Sequence, residues 1–140
     1  MKMLSNNVAY ENYYHFIGAT KYRKELFDKE SMRDRLKEVM DEIIAQKEKI
    51  EMVECTVAYN HIHVLVKSEM DPSKVCKILF GVVSRMMRKE FPILVQKIPK
   101  GLWGGIGCRP IEDLSHLNHC ISYIKRHQPD NTKMEYNIDI

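Results

Sequence analysis

With 140 residues and 44% hydrophobic side chains, the sequence has material for one globular domain with an ordinary core and no room for a second. Its formal charge of +3 permits contact with nucleic-acid phosphates without demanding it, so charge alone excludes no function and selects none. Met1 to Asn12 has no apolar run of signal-peptide length, and no stretch approaches the roughly 18 apolar residues of a membrane span, so a soluble, cytoplasmic protein is expected.

From Tyr13 to Thr20 the aromatic and apolar run reads as a buried strand, with the basic exit Lys21, Tyr22, Arg23 and Lys24. Met32, Leu36, Val39, Met40, Ile43, Ile44 and Ile50 recur at helical spacing, and Ser31 is the expected N-cap. Val53, Cys55 and Val57 then alternate with polar residues up to Asn60. Ile62, Val64 and Val66 alternate with His61, His63 and Leu65, giving two short strands joined tightly. Asp71-Pro72 supplies a cap and a first-turn proline for a second helix with the stripe Val75, Ile78, Leu79, Val82, Val83, Met86 and Met87. Its other face carries Lys74, Lys77, Arg85 and Arg88, read as a wet helix face. Pro92, Pro99 and Gly101 punctuate the stretch after that helix, Leu102 to Arg109 reads as a glycine-interrupted strand, and a last helix runs from about Asp113 to Gln128 before Pro129.

The order strand, helix, strand, strand, helix, strand, helix matches an α+β fold: a ferredoxin-like βαββαβ sandwich with an additional C-terminal helix. One domain is expected over 1–140, its core at about 13–128 between short tails. In such a sheet Ile62, Val64 and Val66 point into the core, and His61 and His63 point to the uncovered face. Cys55, Cys76, Cys108 and Cys120 contain no CxxC pair, which excludes zinc-finger and thioredoxin-type readings and leaves reduced, mostly buried thiols, Cys120 among them.

Two histidines at i and i+2 on a strand project from one side, close enough to hold one metal ion. In the last helix Leu114, Leu117, Ile121 and Ile124 form the packing stripe, whereas Tyr123 lies nearly opposite with His116, His119 and His127. A phenol has a pKa of about 10, so a tyrosine attacking phosphate needs help, and a metal ion supplies part of it by polarising the phosphate. His127, one turn after Tyr123, has the spacing for a third ligand beside His61 and His63, with Gln128 as the second choice.

Asn60-His61-Ile62-His63-Val64-Leu65-Val66, with Thr20-Lys21-Tyr22-Arg23, Leu102-Trp103-Gly104-Gly105 and Tyr123-Ile124, resembles the single-tyrosine HUH-superfamily transposases of small insertion sequences, from about Tyr13 to Gln128. The resemblance implies a homodimer whose active sites combine the histidine pair of one subunit with the tyrosine helix of the other. It implies a tyrosine that attacks single-stranded DNA to leave a 5′-phosphotyrosine and a free 3′-OH, hairpins at the element ends as the recognised partner, and Mg²⁺ or Mn²⁺ as cofactor. Carried over, His61 and His63 are the metal pair and Tyr123 the nucleophile. Lys21, Tyr22, Arg23, Lys24 and Trp103 are the DNA-contact candidates, by phosphate contact or base stacking. The family usually has Gln where this chain has His127, which favours manganese or another transition ion. It often has Asp where this chain has Asn60, so a carboxylate behind the first histidine is missing. Two other functions fit the same fold: a single-stranded nucleic-acid-binding protein without catalysis, and a metal-dependent phosphodiesterase that uses water.

Overall fold

The computed structural model describes residues 12–47 and 49–130. Strand β1 (Tyr13–Thr20) leads through a tight turn at Lys21–Arg23 to helix α1 (Glu30–Ala45), then β2 (Ile50–Val57) and β3 (His61–Ser68). Helix α2 (Pro72–Cys76) passes through a π-helical turn, Lys77–Gly81, into α3 (Val82–Glu90). The short α4 (Pro92–Lys97) precedes β4 (Trp103–Pro110) and the final α5 (Leu114–Arg126). The strands form one antiparallel sheet in the order β2-β3-β1-β4, which is the expected ferredoxin-like arrangement with a helix added at its end. Among the described residues no helix is long and apolar enough to cross a membrane.

Alternation along β3 divides the molecule into two cores. Ile62, Val64 and Val66 join Phe16, Leu36, Met40, Val83 and Met87 in the larger one, beneath α1 and the α2–α3 segment. His61, His63 and Leu65 face the other way. That second face is not bare: α5 packs on β2 and β3, laying Leu117, Cys120 and Ile124 against Leu65 and Ile111. The expectation that His61 and His63 stand on an uncovered face is therefore corrected, since both are fully buried. The reason is mutual need: the apolar stripe of α5 requires a surface to bury, and Leu65 in the middle of β3 supplies it.

Several boundaries move for local reasons. Helix α1 starts at Glu30 with Lys29 in the cap position and no side-chain cap, so Ser31 lies inside the first turn. Ile50, expected on the helix stripe, opens β2 and is buried there. Asp71 caps α2 as expected, accepting from the Ser73 N–H at 2.8 Å. Helix α5 is shorter than expected, and Asp113 caps it by accepting from the His116 N–H at 2.8 Å. Leu114 is 44% exposed at its start, so the packing stripe runs through Leu117, Cys120 and Ile124. All four cysteines are free thiols, with Cys55 and Cys120 buried and Cys108 exposed.

The π-helical turn rotates Phe80 into the larger core, an effect that the regular helical spacing does not anticipate. Phe80 lies between Phe16 and Trp103, with ring centroids 6.0 and 5.3 Å away, and its ring covers Gly18 on β1. A Cβ at Gly18 would stand 2.6 Å from Phe80 Cε1 and 3.2 Å from Ile62 Cγ2. Because Phe80 is almost fully buried, its ring has nowhere to swing. Gly18→Ala is expected to destabilise the fold by about 1–3 kcal/mol through overpacking, read as a lower urea midpoint at unchanged slope. An unchanged midpoint would contradict this packing account.

Candidate metal and tyrosine site

Three elements converge on one place. Strand β3 aims His61 and His63 towards α5, α5 carries Tyr123, and His127 caps the C-terminus of α5 with extended backbone, φ −67° and ψ 126°. The segment after the helix is tied down: the Tyr59 N–H donates to the Pro129 carbonyl at 2.7 Å, joining the end of α5 to the β2–β3 turn beside Asn60. Consequently nitrogens of His61, His63 and His127 all lie within 4.8 Å of one another, and Nε2 of His61 and Nε2 of His127 are 2.7 Å apart. The half-buried Tyr123 ring is centred 5.5 Å from the His63 ring and 5.3 Å from that of His127. Gln128, one residue further on, is exposed.

All four side chains belong to one chain. Helix α5 folds back on its own sheet because Leu117, Cys120 and Ile124 bury against its own Leu65, and Tyr123 is carried to its own histidines.

The hydrogen bonds around the rings decide which nitrogens face inward. Asn60 Nδ2 donates to the Arg23 carbonyl at 3.3 Å, which turns Asn60 Oδ1 to His61 Nδ1 at 2.9 Å. An amide oxygen only accepts, so His61 keeps its proton on Nδ1 and directs the Nε2 lone pair towards His127. Asn60 thus orients His61 without a carboxylate. His63 is held differently. Its Nδ1 lies 2.9 Å from Nε2 of His15 on β1, and its own Nε2 is buried with no hydrogen-bond partner among the described residues. An orphaned imidazole nitrogen within a cluster of three is what a cation site leaves when protein atoms alone are counted, so the residues fit a divalent ion with nitrogen preference.

His15 is fully buried, and the sequence does not single it out because it sits inside an aromatic run. The signal lies in the register: Ile17 pairs with His63 and His15 with Leu65, so His15 shares the face of both. Of the other histidines on α5, His119 is exposed, and His116 Nδ1 accepts from the Glu112 N–H at 3.1 Å in the first turn.

The DNA-contact candidates divide. Tyr22 and Arg23 have left-handed backbone, φ 58° and 54°, and Tyr22 is 80% exposed, so the turn presents an aromatic ring to solvent at some conformational cost. This turn is tied to the histidines: the Thr20 N–H donates to the Asn60 carbonyl at 2.9 Å, and Asn60 returns a bond to Arg23. Lys21 stays beside it, its N–H donating to the Leu102 carbonyl at 2.7 Å, and Lys24 Nζ donates to the Lys97 carbonyl at 3.0 Å. Gly104 permits this contact, since a Cβ there would lie 3.0 Å from the Thr20 carbonyl oxygen. Trp103 is half-buried: its Nε1–H donates to the Phe80 carbonyl at 3.0 Å and its ring packs on Phe27 and Phe80.

Burial pushes His63 down to about 2, and the neighbouring rings of His15, His127 and His61 add to it. Burial likewise lowers His15 to about 4, assisted by His116, Arg109 and His127. Both rings are therefore neutral at physiological pH, the form in which imidazole binds metal. Because each folded value lies below the unfolded one near 6.5, the unfolded chain binds more protons in acid, and stability is full above about pH 6.5 and falls below it. In metal-free buffer His15 alone is expected to cost about 3 kcal/mol of stability by pH 4. Denaturant titrations from pH 7 to pH 4 measure this, and a stability independent of pH would contradict it.

The model of the family described as "Transposase IS200 like" matches residues 8–127. No curated protein sequence matches the chain. Among solved structures, a Deinococcus radiodurans protein assigned as a transposase superposes with a TM-score of 0.65 at 25% identity, covering 84% of this chain and 92% of that one. A REP-associated tyrosine transposase bound to a REP hairpin shares the fold, with a TM-score of 0.55 at 14% identity over 91% of this chain and 70% of that one. With the family model covering most of its length, the chain belongs to the IS200-like transposase family.

Proposed function

We propose that this transposase cleaves and rejoins single-stranded DNA at the ends of its insertion sequence, with Tyr123 as nucleophile and a divalent cation held by His61, His63 and His127. The observation that carries this reading is the convergence of three imidazole nitrogens within 4.8 Å, flanked by the Tyr123 ring. A structural role for this cluster is disfavoured by the orphaned, buried Nε2 of His63, which costs free energy unless something binds it.

His61, His63 and His127 would hold the divalent cation, which would offset the charge that builds on the phosphate oxygens during displacement. The chain's own groups do the rest. His63, buried and neutral, supplies a nitrogen lone pair without a competing proton, and the buried His61 turns its Nε2 to the same point. The wall of α5 beside Leu65 and Ile111 limits water on one side of the site. Tyr123 Oη forms a bond to phosphorus as the bond from phosphorus to the 3′ oxygen breaks. The phenolic proton passes to solvent and the departing oxygen leaves as a 3′-OH. The ester energy is kept in the phosphotyrosine, so attack by another 3′-OH reverses the step without ATP.

Tyr22 and Arg23, held outward by the turn that Asn60 anchors, suit contact with a base and a phosphate. One structural relative is bound to a REP hairpin, which makes an element-end hairpin the natural partner. A homodimer belongs to the same reading, supported by β4, an edge strand of eight residues whose only charged side chain is Arg109. Each copy supplies His61, His63, Tyr123 and His127, and active sites shared between the two subunits belong to the same proposal.

Incubated with Mn²⁺ and a 3′-labelled single strand bearing its element end, the protein is expected to form a labelled adduct that survives SDS, and Tyr123→Phe to form none. An adduct in Tyr123→Phe would remove the tyrosine from its role. Cleavage without linkage would establish a water-using phosphodiesterase instead, and binding without cleavage a nucleic-acid-binding protein. His127→Gln exchanges an imidazole for a harder amide oxygen, so the ratio of adduct rates in Mg²⁺ and Mn²⁺ is expected to shift several-fold towards Mg²⁺. An unchanged ratio would show that position 127 does not touch the ion.

A further inference from the structure

We propose that His15 is the positioning residue of the metal centre: by accepting a hydrogen bond from Nδ1–H of His63, it holds that ring in the tautomer whose Nε2 lone pair faces the cation. The inference rests on the reading of His61, His63 and His127 as ligands.

The two rings lie on neighbouring strands. His15 is one diagonal step from His63 in the β1–β3 register, and the rings stack with centroids 5.1 Å apart and planes inclined by 29°. His15 Nε2 and His63 Nδ1 are 2.9 Å apart, and both side chains are fully buried. Water therefore does not substitute for either partner, and one proton must lie between the two nitrogens. If His15 donates it, His63 carries its own proton on Nε2, which blocks the nitrogen of that ring free to reach the ion. If His63 donates it, Nε2 of His63 is a bare lone pair aimed into the cluster. Only the second arrangement binds a cation.

The same logic is visible beside it in a different chemical form. Asn60 Oδ1 fixes His61 as an Nδ1–H tautomer because an amide oxygen only accepts. His15 performs this service for His63, but an imidazole both donates and accepts. The choice at His63 is thus set by the proton of His15, which must sit on Nδ1. That atom is buried and has no hydrogen-bond partner among the described residues, so His15 keeps its proton at a costly position in order to accept at Nε2.

Two substitutions and one spectrum separate positioning from packing. His15→Phe keeps a buried ring and removes the acceptor, whereas His15→Gln places an amide oxygen near the position of Nε2. Titrating Mn²⁺ alone into each protein by calorimetry is expected to give an affinity about 10–100-fold weaker for His15→Phe, with His15→Gln within a few-fold of the wild type. A folded His15→Phe that binds Mn²⁺ as tightly as wild type would overturn the proposal while leaving the three-ligand site intact. Imidazole ¹⁵N shifts of the metal-free wild type are expected to show His63 protonated on Nδ1, and protonation on Nε2 would overturn it. That spectrum decides the matter even if His15→Phe does not fold. It also keeps the two readings apart, because wild-type protein that binds no Mn²⁺ yet shows Nδ1–H at His63 would end the metal assignment and leave the tautomer lock standing.

Discussion

Everything at this site depends on the burial of two imidazoles, those of His61 and His63. A buried polar ring must spend each nitrogen on a partner, and His61 and His63 spend Nδ1 on Asn60 and His15. The remaining nitrogens point inward: Nε2 of His61 meets that of His127, and Nε2 of His63 meets nothing among the described residues. Burial also keeps His63 neutral, since it penalises the charged ring. The same physical fact that makes the cluster costly for folding makes it suited to a cation, and the fold retains it by enclosing it between the sheet and α5.

The enclosure is built from ordinary parts. Alternation on β3 sends Ile62, Val64 and Val66 into the larger core, and this leaves the histidines no choice of side. Phe80 over Gly18 locks β1 against the helices, which holds His15 in place on its far face. On the opposite layer, Asp113 starts α5, Leu117, Cys120 and Ile124 seat it, and the Tyr59–Pro129 hydrogen bond fixes its exit, so that Tyr123 and His127 are held at both ends of their helix. The Lys21–Arg23 turn reaches the same centre through Asn60, which joins Arg23 to His61 by two hydrogen bonds.

Much of this is legible in the residues because it is periodic or local. The Asp71-Pro72 cap, the two alternating strands around Asn60, and the spacing of His127 one turn after Tyr123 all depend on neighbours in sequence. The illegible features depend on register and on packing between distant segments. His15 becomes part of the site only when β1 pairs with β3, the π-helical turn at Lys77–Gly81 answers to the fit of Phe80 over Gly18, and Trp103 is claimed by the core because the Phe80 carbonyl lies within reach. The second face of the sheet reads as open because the pattern of α5 reveals an apolar stripe but not the surface beneath it.

The most direct test of the central claim is an anomalous-diffraction map from crystals soaked in Mn²⁺. The account requires one strong peak within about 2.0–2.3 Å of Nε2 of His63 and of nitrogens on His61 and His127, with a Tyr123 ring beside it. A peak elsewhere, or none at full Mn²⁺ occupancy of the protein in solution, would contradict it.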